Sequence, residues 1–347
     1  MTTFITRFET SGSGVRLAVK DLIDMAGVPT TAGCRAVAST ARPAGADAPC
    51  LAGARAAGAR IVGRTNLHEL ALGVTGVNPW FGTPVNPLDA RRVPGGSSSG
   101  SAVAVAVDEA DVAYGSDTGG SVRIPAACCG VAGLKTTWGR IPLDGVWPVA
   151  PSLDTVGPMA RDVTGLVAGM ALLEPGFAVA DNADTHRRVA RLRIDADPAI
   201  DAAIDRALAA TGWEVVEVRF PEWDDVTVHC ASLLVAEAWE SDRDIVERDP
   251  TGIGSDVVER LRLGDHVDAA MRAGAAAARE RWRRRLRDLF SEVDVLATPT
   301  LTIFPPLIAE GESFAGKDTG ATVEPTVQER CRGYTDPPAS DSGSGLL

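Results

Sequence analysis

The sequence contains no run of about 18 apolar residues, so it predicts no membrane-spanning helix. Its first seven residues also lack the apolar centre of a signal peptide. Positive charge is in deficit: 34 lysines and arginines against 46 aspartates and glutamates give a formal net charge of −12. Because an acidic surface repels phosphate backbones, we expect no direct nucleic-acid partner.

Cysteine and histidine are too few and too scattered to predict either a metal site or a histidine within the Gly/Ser-rich turns. Among the six cysteines only Cys128 and Cys129 are neighbours, and metal sites need spaced pairs. We therefore expect no metal, no other cofactor, and buried reduced thiols in a cytoplasmic protein. The four histidines (residues 68, 186, 229 and 266) all lie outside the Gly/Ser-rich turns described next.

The stretch 94–135 carries the strongest signal in the chain. Two Gly/Ser-rich turns, residues 95–100 and 115–121, bracket an apolar segment and place Ser97 and Ser121 24 residues apart. A glycine pair before a serine lets the backbone bend sharply and present its N–H groups. Acyl transfer needs N–H donors of this kind beside a hydroxyl nucleophile, so the pattern predicts an acyl-transfer site.

This stretch resembles the amidase signature family, whose hallmark is a Gly/Ser-rich block ending in Gly-Gly-Ser before an Arg/Pro segment. The resemblance is densest over residues 15–175 and implies a Ser–cis-Ser–Lys triad. In that triad Ser121 is the nucleophile, Ser97 is the bridging serine with a cis peptide before it, and Lys20 is the base. We therefore expect the Ser97 and Ser121 side chains within hydrogen-bond reach of each other, and Lys20 within reach of Ser97. A lysine acts as a base only if burial or positive charge lowers its pKa, and Lys20 follows an apolar predicted strand.

The resemblance also implies an oxyanion hole and its support. The N–H groups that would line the hole belong to Thr118, Gly119, Gly120 and Ser121. Asp117 and Arg123 would brace the turn without reacting.

The pattern of elements predicts an α/β fold, because short apolar strands alternate with helices. Predicted strands cover 15–19, 60–63, 111–114, 133–136, 190–194, 213–220 and 293–298. Predicted helices cover 48–57, 65–70, 99–107, 121–129, 162–173, 198–211, 226–248 and 269–290. The resemblance implies an α/β/α sandwich with a central mixed sheet covered by helices on both faces.

The domain prediction has three parts. Residues 1–14 are expected to form a loose arm, and 15–313 the amidase signature domain. Within that domain, 15–175 is the catalytic core and 176–290 a variable, mostly helical substrate-side segment. Residues 314–347 are rich in Gly, Ser, Thr, Pro and Asp, which predicts a low-complexity, disordered tail. Family members usually continue further, so the resemblance implies that part of the C-terminal portion is lacking.

Two rival motifs fit the same stretch less well. Residues 96–100 match G-x-S-x-G, but that elbow must follow an apolar strand, and a Pro-rich loop precedes it here. Residues 130–136 faintly resemble a P-loop, but Leu134 separates the glycine from the lysine.

The sequence therefore predicts an amidohydrolase that acts on a small-molecule carboxamide through a serine acyl-enzyme. Two alternatives stay open: an A-type subunit that releases ammonia from glutamine in a tRNA-dependent amidotransferase, and a truncated inactive homologue. We expect a small-molecule amide as the partner and no contact with a membrane, and we keep a homodimer as the candidate assembly.

Overall fold

The structure, a computed structural model, describes residues 2–179 and 187–308. Its strands fall into two separate sheets. They are β1 (Phe4–Arg7), β2 (Arg16–Lys20), β3 (Arg60–Thr65), β4 (Val112–Ser116), β5 (Ala132–Gly133), β6 (Val156–Ala160), β7 (Arg188–Leu192), β8 (Glu214–Val218) and β9 (Val295–Ala297).

The helices alternate with these strands through β6 and dominate the chain after β8. They are α1 (Arg35–Ala38), α2 (Ala52–Ala56), α3 (Ser99–Ala106), α4 (Arg123–Cys129), α5 (Val163–Leu173), α6 (Pro198–Thr211), α7 (Trp223–Arg248), α8 (Ser255–Asp265) and α9 (Ala269–Phe290). Short 3-10 turns occupy Pro49–Leu51, Glu69–Ala71 and Pro250–Gly252.

The larger sheet has the strand order β1-β3-β2-β4-β6-β5. Strand β2 runs parallel to both of its neighbours, β3 and β4, whereas β1, β5 and β6 pair antiparallel. Along β2 the side chains alternate between two cores, as the two-residue period of a strand requires. Leu17 and Val19 pack with residues of α2 and α5, and Ala18 packs with residues of α3 and α4. The predicted mixed sheet with helices on both faces is confirmed.

The smaller sheet is parallel, with the order β8-β7-β9. One core beside it contains Phe220, Trp223 and Trp282, whose rings meet edge to face. Helix α6 is fixed to β7 by charge, because the buried Arg191 donates to Asp201 at 2.6 Å and to Asp205 at 3.0 Å. A buried guanidinium needs such partners to offset its lost hydration.

Helices α7 and α8 close over one end of the larger sheet. Their apolar residues join those of residues 67–72 and 149–153 in one core cluster. Helix α8 approaches α7 closely at Gly264, where a Cβ would lie 2.0 Å from the carbonyl oxygen of Val235. Within the described residues, no helix is both long and apolar enough to cross a membrane.

Several predicted boundaries need correction. Residues 1–14 are not all a loose arm, because β1 pairs with β3 and Phe4 is buried. The predicted helix over 65–70 is instead the end of β3 and a single 3-10 turn. Strand β6, helix α8 and the short α1 were not predicted. The tail predicted for 314–347 lies outside the described residues.

The close approach of α8 to α7 gives a test of the packing. Alanine normally stabilises a helix interior by about 1 kcal/mol relative to glycine. We expect Gly264→Ala to lower the melting temperature nonetheless, because its methyl group would collide with the backbone of α7. Differential scanning calorimetry measures the shift.

Gly274→Ala on α9 is the matched control. The nearest atom to its added Cβ would be His229 Cε1 at 3.9 Å, an ordinary contact. This variant should melt at or above the wild-type temperature. Equal melting shifts for the two variants would contradict the tight packing of α8 on α7.

Candidate active site

Two parallel neighbouring strands deliver the first polar groups of the site. Strand β2 ends at Lys20 and β4 ends at Ser116, and Val19 lies opposite Tyr114 in the register between them. Because parallel strands end at the same edge of a sheet, Lys20 and Ser116 are brought together there. Lys20 Nζ donates to Ser116 Oγ at 2.8 Å.

Lys20 is fully buried and contacts the first Gly/Ser-rich turn. Its Nζ lies 2.7 Å from Ser97 Oγ, so the predicted contact between these two side chains is confirmed. Burial lowers the pKa of Lys20 from 10.5 to about 7, because the charged amine loses its hydration. Asp117 and Asp154 oppose this shift through their charges but do not cancel it. The amine is therefore neutral in a large fraction of molecules near pH 7.

The first turn has the backbone geometry that the resemblance implied. The peptide bond between Gly96 and Ser97 is cis. The carbonyl oxygen of Ser97 accepts from the amide of His68 at 3.0 Å, and the amide of Ser98 donates to the carbonyl of Ser121 at 3.1 Å. The two Gly/Ser-rich turns are thus joined directly through their backbones.

Ser121 lies buried next to this junction, but its side chain does not bond as predicted. The sequence predicts its hydroxyl within hydrogen-bond reach of the Ser97 hydroxyl. In the part of the chain that the structure describes, Ser121 Oγ has no hydrogen-bond partner. The contact between the turns runs instead through the amide of Ser98, which leaves the Ser121 hydroxyl unengaged.

The second turn is built around the buried carboxylate of Asp117. It accepts from the amides of Gly120 at 2.6 Å and Val122 at 3.2 Å, and from Arg123 Nε at 2.9 Å. Lys135 Nζ lies 3.6 Å from the same carboxylate and also donates to the Asp117 carbonyl. Burial alone would raise the pKa of Asp117, but Arg123 and Lys135 hold it well below its usual value. Asp117 and Arg123 are thus placed to brace the turn.

The four predicted oxyanion donors divide into two groups. Gly120 differs from the prediction, because its N–H already donates to Asp117. Within residues 2–179 and 187–308, the N–H groups of Thr118, Gly119 and Ser121 donate to no other group. These three N–H groups surround Gly120 and are available to stabilise a negatively charged oxygen.

A loop of residues 146–155, here called the wall loop, packs against this turn. Its Asp154 accepts from the Thr118 hydroxyl at 2.6 Å and from the amides of Val149 and Ala150. The backbones of Asp117 and Thr155 exchange two hydrogen bonds, at 2.8 and 3.2 Å. The wall loop therefore fixes Thr118 in place.

Helices α7 and α9 hold the wall loop from outside. Glu237 accepts from the amide of Ser152 at 2.9 Å, and Arg279 donates to the carbonyl of Ser152, also at 2.9 Å. Trp147 Nε1 donates to the buried Asp242 at 3.1 Å, and burial raises the pKa of Asp242 to about 7. A cavity of about 340 Å³ lies beside the loop and is lined by Leu143, Asp144, Val146, Trp147, Pro148, Pro151 and Asp154.

Sequence analysis missed three residues of this site: Ser116, Lys135 and Asp154. A compositional signal points to Lys135, because the chain contains only three lysines and two of them, Lys20 and Lys135, lie here. Ser116 stands at the end of β4, within the second turn. Asp154 carries no local signal, because only the tertiary fold brings the wall loop to Thr118.

The rival elbow lacks a histidine partner in the described residues. Ser98 Oγ donates to the carbonyl of Ser116 at 3.3 Å. His68 faces Thr75 and Asp256, and His229 lies 3.6 Å from Asp225 on α7. His266 caps the end of α8. His186 lies outside the described residues.

Comparison with known proteins identifies the family. The family model described as Amidase matches residues 12–175 and 187–323. The chain belongs to the amidase family. It is an enzyme of the amidase class, hydrolases that act on amide C–N bonds.

Three similar proteins indicate the range of this amidase family. The chain is 34% identical to the A-type subunit of the glutamyl-tRNA(Gln) amidotransferase of Halobacterium salinarum, over 86% of this chain and 81% of that protein. It is 35% identical to AtzE, a subunit of the 1-carboxybiuret hydrolase of a Pseudomonas species, over 85% and 68% respectively. A solved amidase structure superposes with a TM-score of 0.78 at 33% identity, covering 85% of this chain and 68% of that one.

The buried amine of Lys20 predicts an unusual dependence of stability on pH. Since its pKa is about 7 in the folded chain and 10.5 in the reference state, the unfolded chain binds more protons between these values. Wild-type stability should therefore rise from pH 7 to pH 10.5 through this group. Lys20→Met should raise the free energy of unfolding below pH 7 by on the order of a few kcal/mol, a gain that shrinks with rising pH.

Urea unfolding at pH 6 and pH 9 measures this difference. Lys135→Met is the control, because that lysine has partners in Asp117 and in the carbonyl of Leu153 and should lose stability at both pH values. A Lys20→Met variant that is destabilised equally at pH 6 and pH 9 would contradict the lowered pKa.

Proposed function

We propose that this chain cleaves the C–N bond of a small-molecule carboxamide, giving a carboxylate and ammonia or an amine. The observation that carries the proposal is the buried amine of Lys20, 2.7 Å from Ser97 Oγ and with its pKa lowered to about 7. An ammonium has three donors and no lone pair, so only the neutral amine can accept a proton. The cavity of about 340 Å³ beside the wall loop is connected to the proposed oxyanion turn through Asp154, which lines the cavity and accepts from Thr118.

In the proposed mechanism Lys20 takes a proton from Ser97, and Ser97 takes one from Ser121. Ser121 Oγ then attacks the amide carbonyl and forms a tetrahedral intermediate. The leaving nitrogen is protonated by Lys20 through Ser97. Water then attacks the acyl carbonyl and gives its proton through Ser97 to Lys20, and the same relay returns a proton to Ser121 Oγ when the carboxylate leaves. The unengaged hydroxyl of Ser121 is compatible with this order, because catalytic hydrogen bonds commonly tighten only when substrate binds.

The oxyanion is assigned to the amides of Thr118, Gly119 and Ser121. Their N–H groups have no competing acceptor in the described residues, in contrast to that of Gly120. The Asp117 carboxylate and the Thr118–Asp154 hydrogen bond keep the turn in shape. Donors held in place before the reaction stabilise the developing charge without having to reorganise.

A second candidate is an A-type subunit that releases ammonia from glutamine within a tRNA-dependent complex. It is supported by the 34% identity to the Halobacterium salinarum protein. Both candidates use the same proposed serines and lysine, so the site does not separate them. A panel of carboxamides with ammonia detection, run with the isolated chain, separates them: turnover of small amides and not of glutamine favours the amidohydrolase.

Ser121→Ala tests the nucleophile. We expect it to abolish both turnover and labelling by a serine-directed phosphonate, since it removes the only group proposed to attack the carbonyl. The fold should survive because a single unbonded hydroxyl is lost. Mass spectrometry of the labelled chain is the measurement.

Ser99→Ala is the matched control, because the Ser99 hydroxyl is also buried without a partner in the described residues. This variant should be labelled like the wild type. If Ser121→Ala is still labelled and Ser98→Ala is not, the elbow interpretation replaces ours.

The pH dependence of turnover tests the base. The rate should rise with pH through about 7 and level off above it, because the neutral form of Lys20 is the active one. Lys20→Ala should lose several orders of magnitude. Lys20→Arg should be nearly as poor, since a guanidinium stays protonated at any working pH. An arginine variant with wild-type turnover would show that Lys20 supplies only charge or packing.

A further inference from the structure

The loop after β3 contacts the backbone of the turn that carries Ser97. This loop, residues 68–76, is here called the histidine loop. Its first amide, that of His68, donates to the carbonyl oxygen of Ser97 at 3.0 Å. The two backbones touch elsewhere too, because a Cβ on Gly96 would lie 2.7 Å from the amide nitrogen of Gly76 and 3.0 Å from the carbonyl of Gly73. A shift of the histidine loop would therefore move Ser97.

The ring of His68 has no contact with a serine hydroxyl in the described residues, although it lies beside the site. Its Nδ1 is 3.3 Å from Thr75 Oγ1, and its Nε2 is 3.7 Å from the carboxylate of Asp256. A neutral ring with its proton on Nε2 satisfies both neighbours, because Thr75 can donate to Nδ1 while Nε2–H faces the carboxylate. Burial lowers the pKa of His68. Asp256 opposes this shift, whereas the charges of Arg260 and Lys20 act with burial, and the pKa stays below its usual value.

The backbone of Gly73 also restricts rotation of the His68 ring. The ring lies directly against the backbone of Gly73, where a Cβ would come within 2.0 Å of Nε2. Asp256 itself is largely buried, and although burial opposes ionisation, His68 and Arg260 keep its pKa below the usual value. The pair therefore consists of a buried imidazole whose Nε2 faces a carboxylate.

Helix α8 contacts the histidine loop at two further points. The amide of Gly254, just before the helix, donates to Glu69 at 2.7 Å, and Arg260 donates to the carbonyl of Leu72 at 3.0 Å. These contacts flank Leu70 and Ala71, whose φ angles of 50° and 52° lie in the left-handed region. Side chains adopt that conformation only when their surroundings impose it, so the loop's shape depends on its neighbours.

We propose that Asp256 and His68 form a positioning pair that fixes Ser97 through the histidine loop, so that helix α8 sets the alignment of the relay serine. The inference rests on the proposed function, in which Ser97 carries protons between Lys20 and Ser121. Helix α8 packs closely on α7 at Gly264, and α7 holds the wall loop through Glu237. The same helices thus support both sides of the site.

A positioning role affects the rate more than substrate binding. Proton transfer from Ser97 to Lys20 depends on the 2.7 Å separation of Oγ and Nζ. Misplacing a reacting group by about 1 Å can cost about 100-fold in rate. We therefore expect kcat to fall while KM stays nearly constant when the pair is broken.

Asp256→Asn and Thr75→Val break the pair from its two ends. We expect each to lower kcat and the rate of phosphonate labelling by about 10- to 100-fold, with KM within about twofold of wild type and nearly unchanged melting temperatures. Asp256→Glu should recover part of the rate because it restores the carboxylate. Asp225→Asn is the matched control: it breaks the exposed His229–Asp225 contact of 3.6 Å on α7 and should leave all values at wild type.

Wild-type kcat and labelling in a folded Asp256→Asn or Thr75→Val variant would overturn the proposal. If Asp256→Asn does not fold, Thr75→Val decides, because it preserves the side-chain shape.

Nitrogen-15 NMR of His68 gives a readout independent of turnover. We expect the Nε2–H tautomer in the wild type and a loss of that preference in Asp256→Asn, and a wild-type ring protonated on Nδ1 alone would contradict the pair. Failure of the wild type to be labelled at all would instead contradict the role of Ser121.

Discussion

The site depends on burying one amine beside two carboxylates without forming an ion pair to either. Asp117 is occupied by Arg123, Lys135 and backbone amides, and Asp154 by the Thr118 hydroxyl and two amides. Because both carboxylates are already satisfied, their attraction for a proton on Lys20 is weaker than the cost of burying its charge. The same hydrogen bonds and ion pairs therefore brace the second Gly/Ser-rich turn and leave the pKa of the lysine lowered. A carboxylate released from its partners would draw the proton back to the amine.

Much of the fold is predictable where the signal is local. Helix α6 begins and ends at the predicted residues because Asp197 caps it, Pro198 starts it and Gly212 ends it in the left-handed conformation. The contact between Lys20 and Ser97 is also predictable, because the turn motif and the apolar strand before the lysine are both continuous stretches of sequence. The fold class follows from the alternation of such stretches.

The rest depends on contacts between distant residues. Strand β6 contains Pro158, which normally argues against a central strand, yet β4 pairs on one side and β5 on the other. No motif encodes that Ser121 Oγ is buried without a hydrogen-bond partner in the described residues. Asp154 and Asp256 likewise reach the site only because the wall loop and α8 fold back onto it. Local sequence signals located the proposed reacting groups but not the residues that hold them in position.

The polar contacts between α8 and the histidine loop limit how this enzyme can be re-engineered. An exchange of the helices over 223–290 for those of another amidase would also exchange these contacts. Gly254, Asp256 and Arg260 in that segment make polar contacts with the histidine loop. A chimaera that keeps these three residues in their spacing retains the loop's outer contacts, and one that changes them loses those contacts. A chimaera should therefore keep residues 254–260 of this chain and exchange only the segments on either side of them.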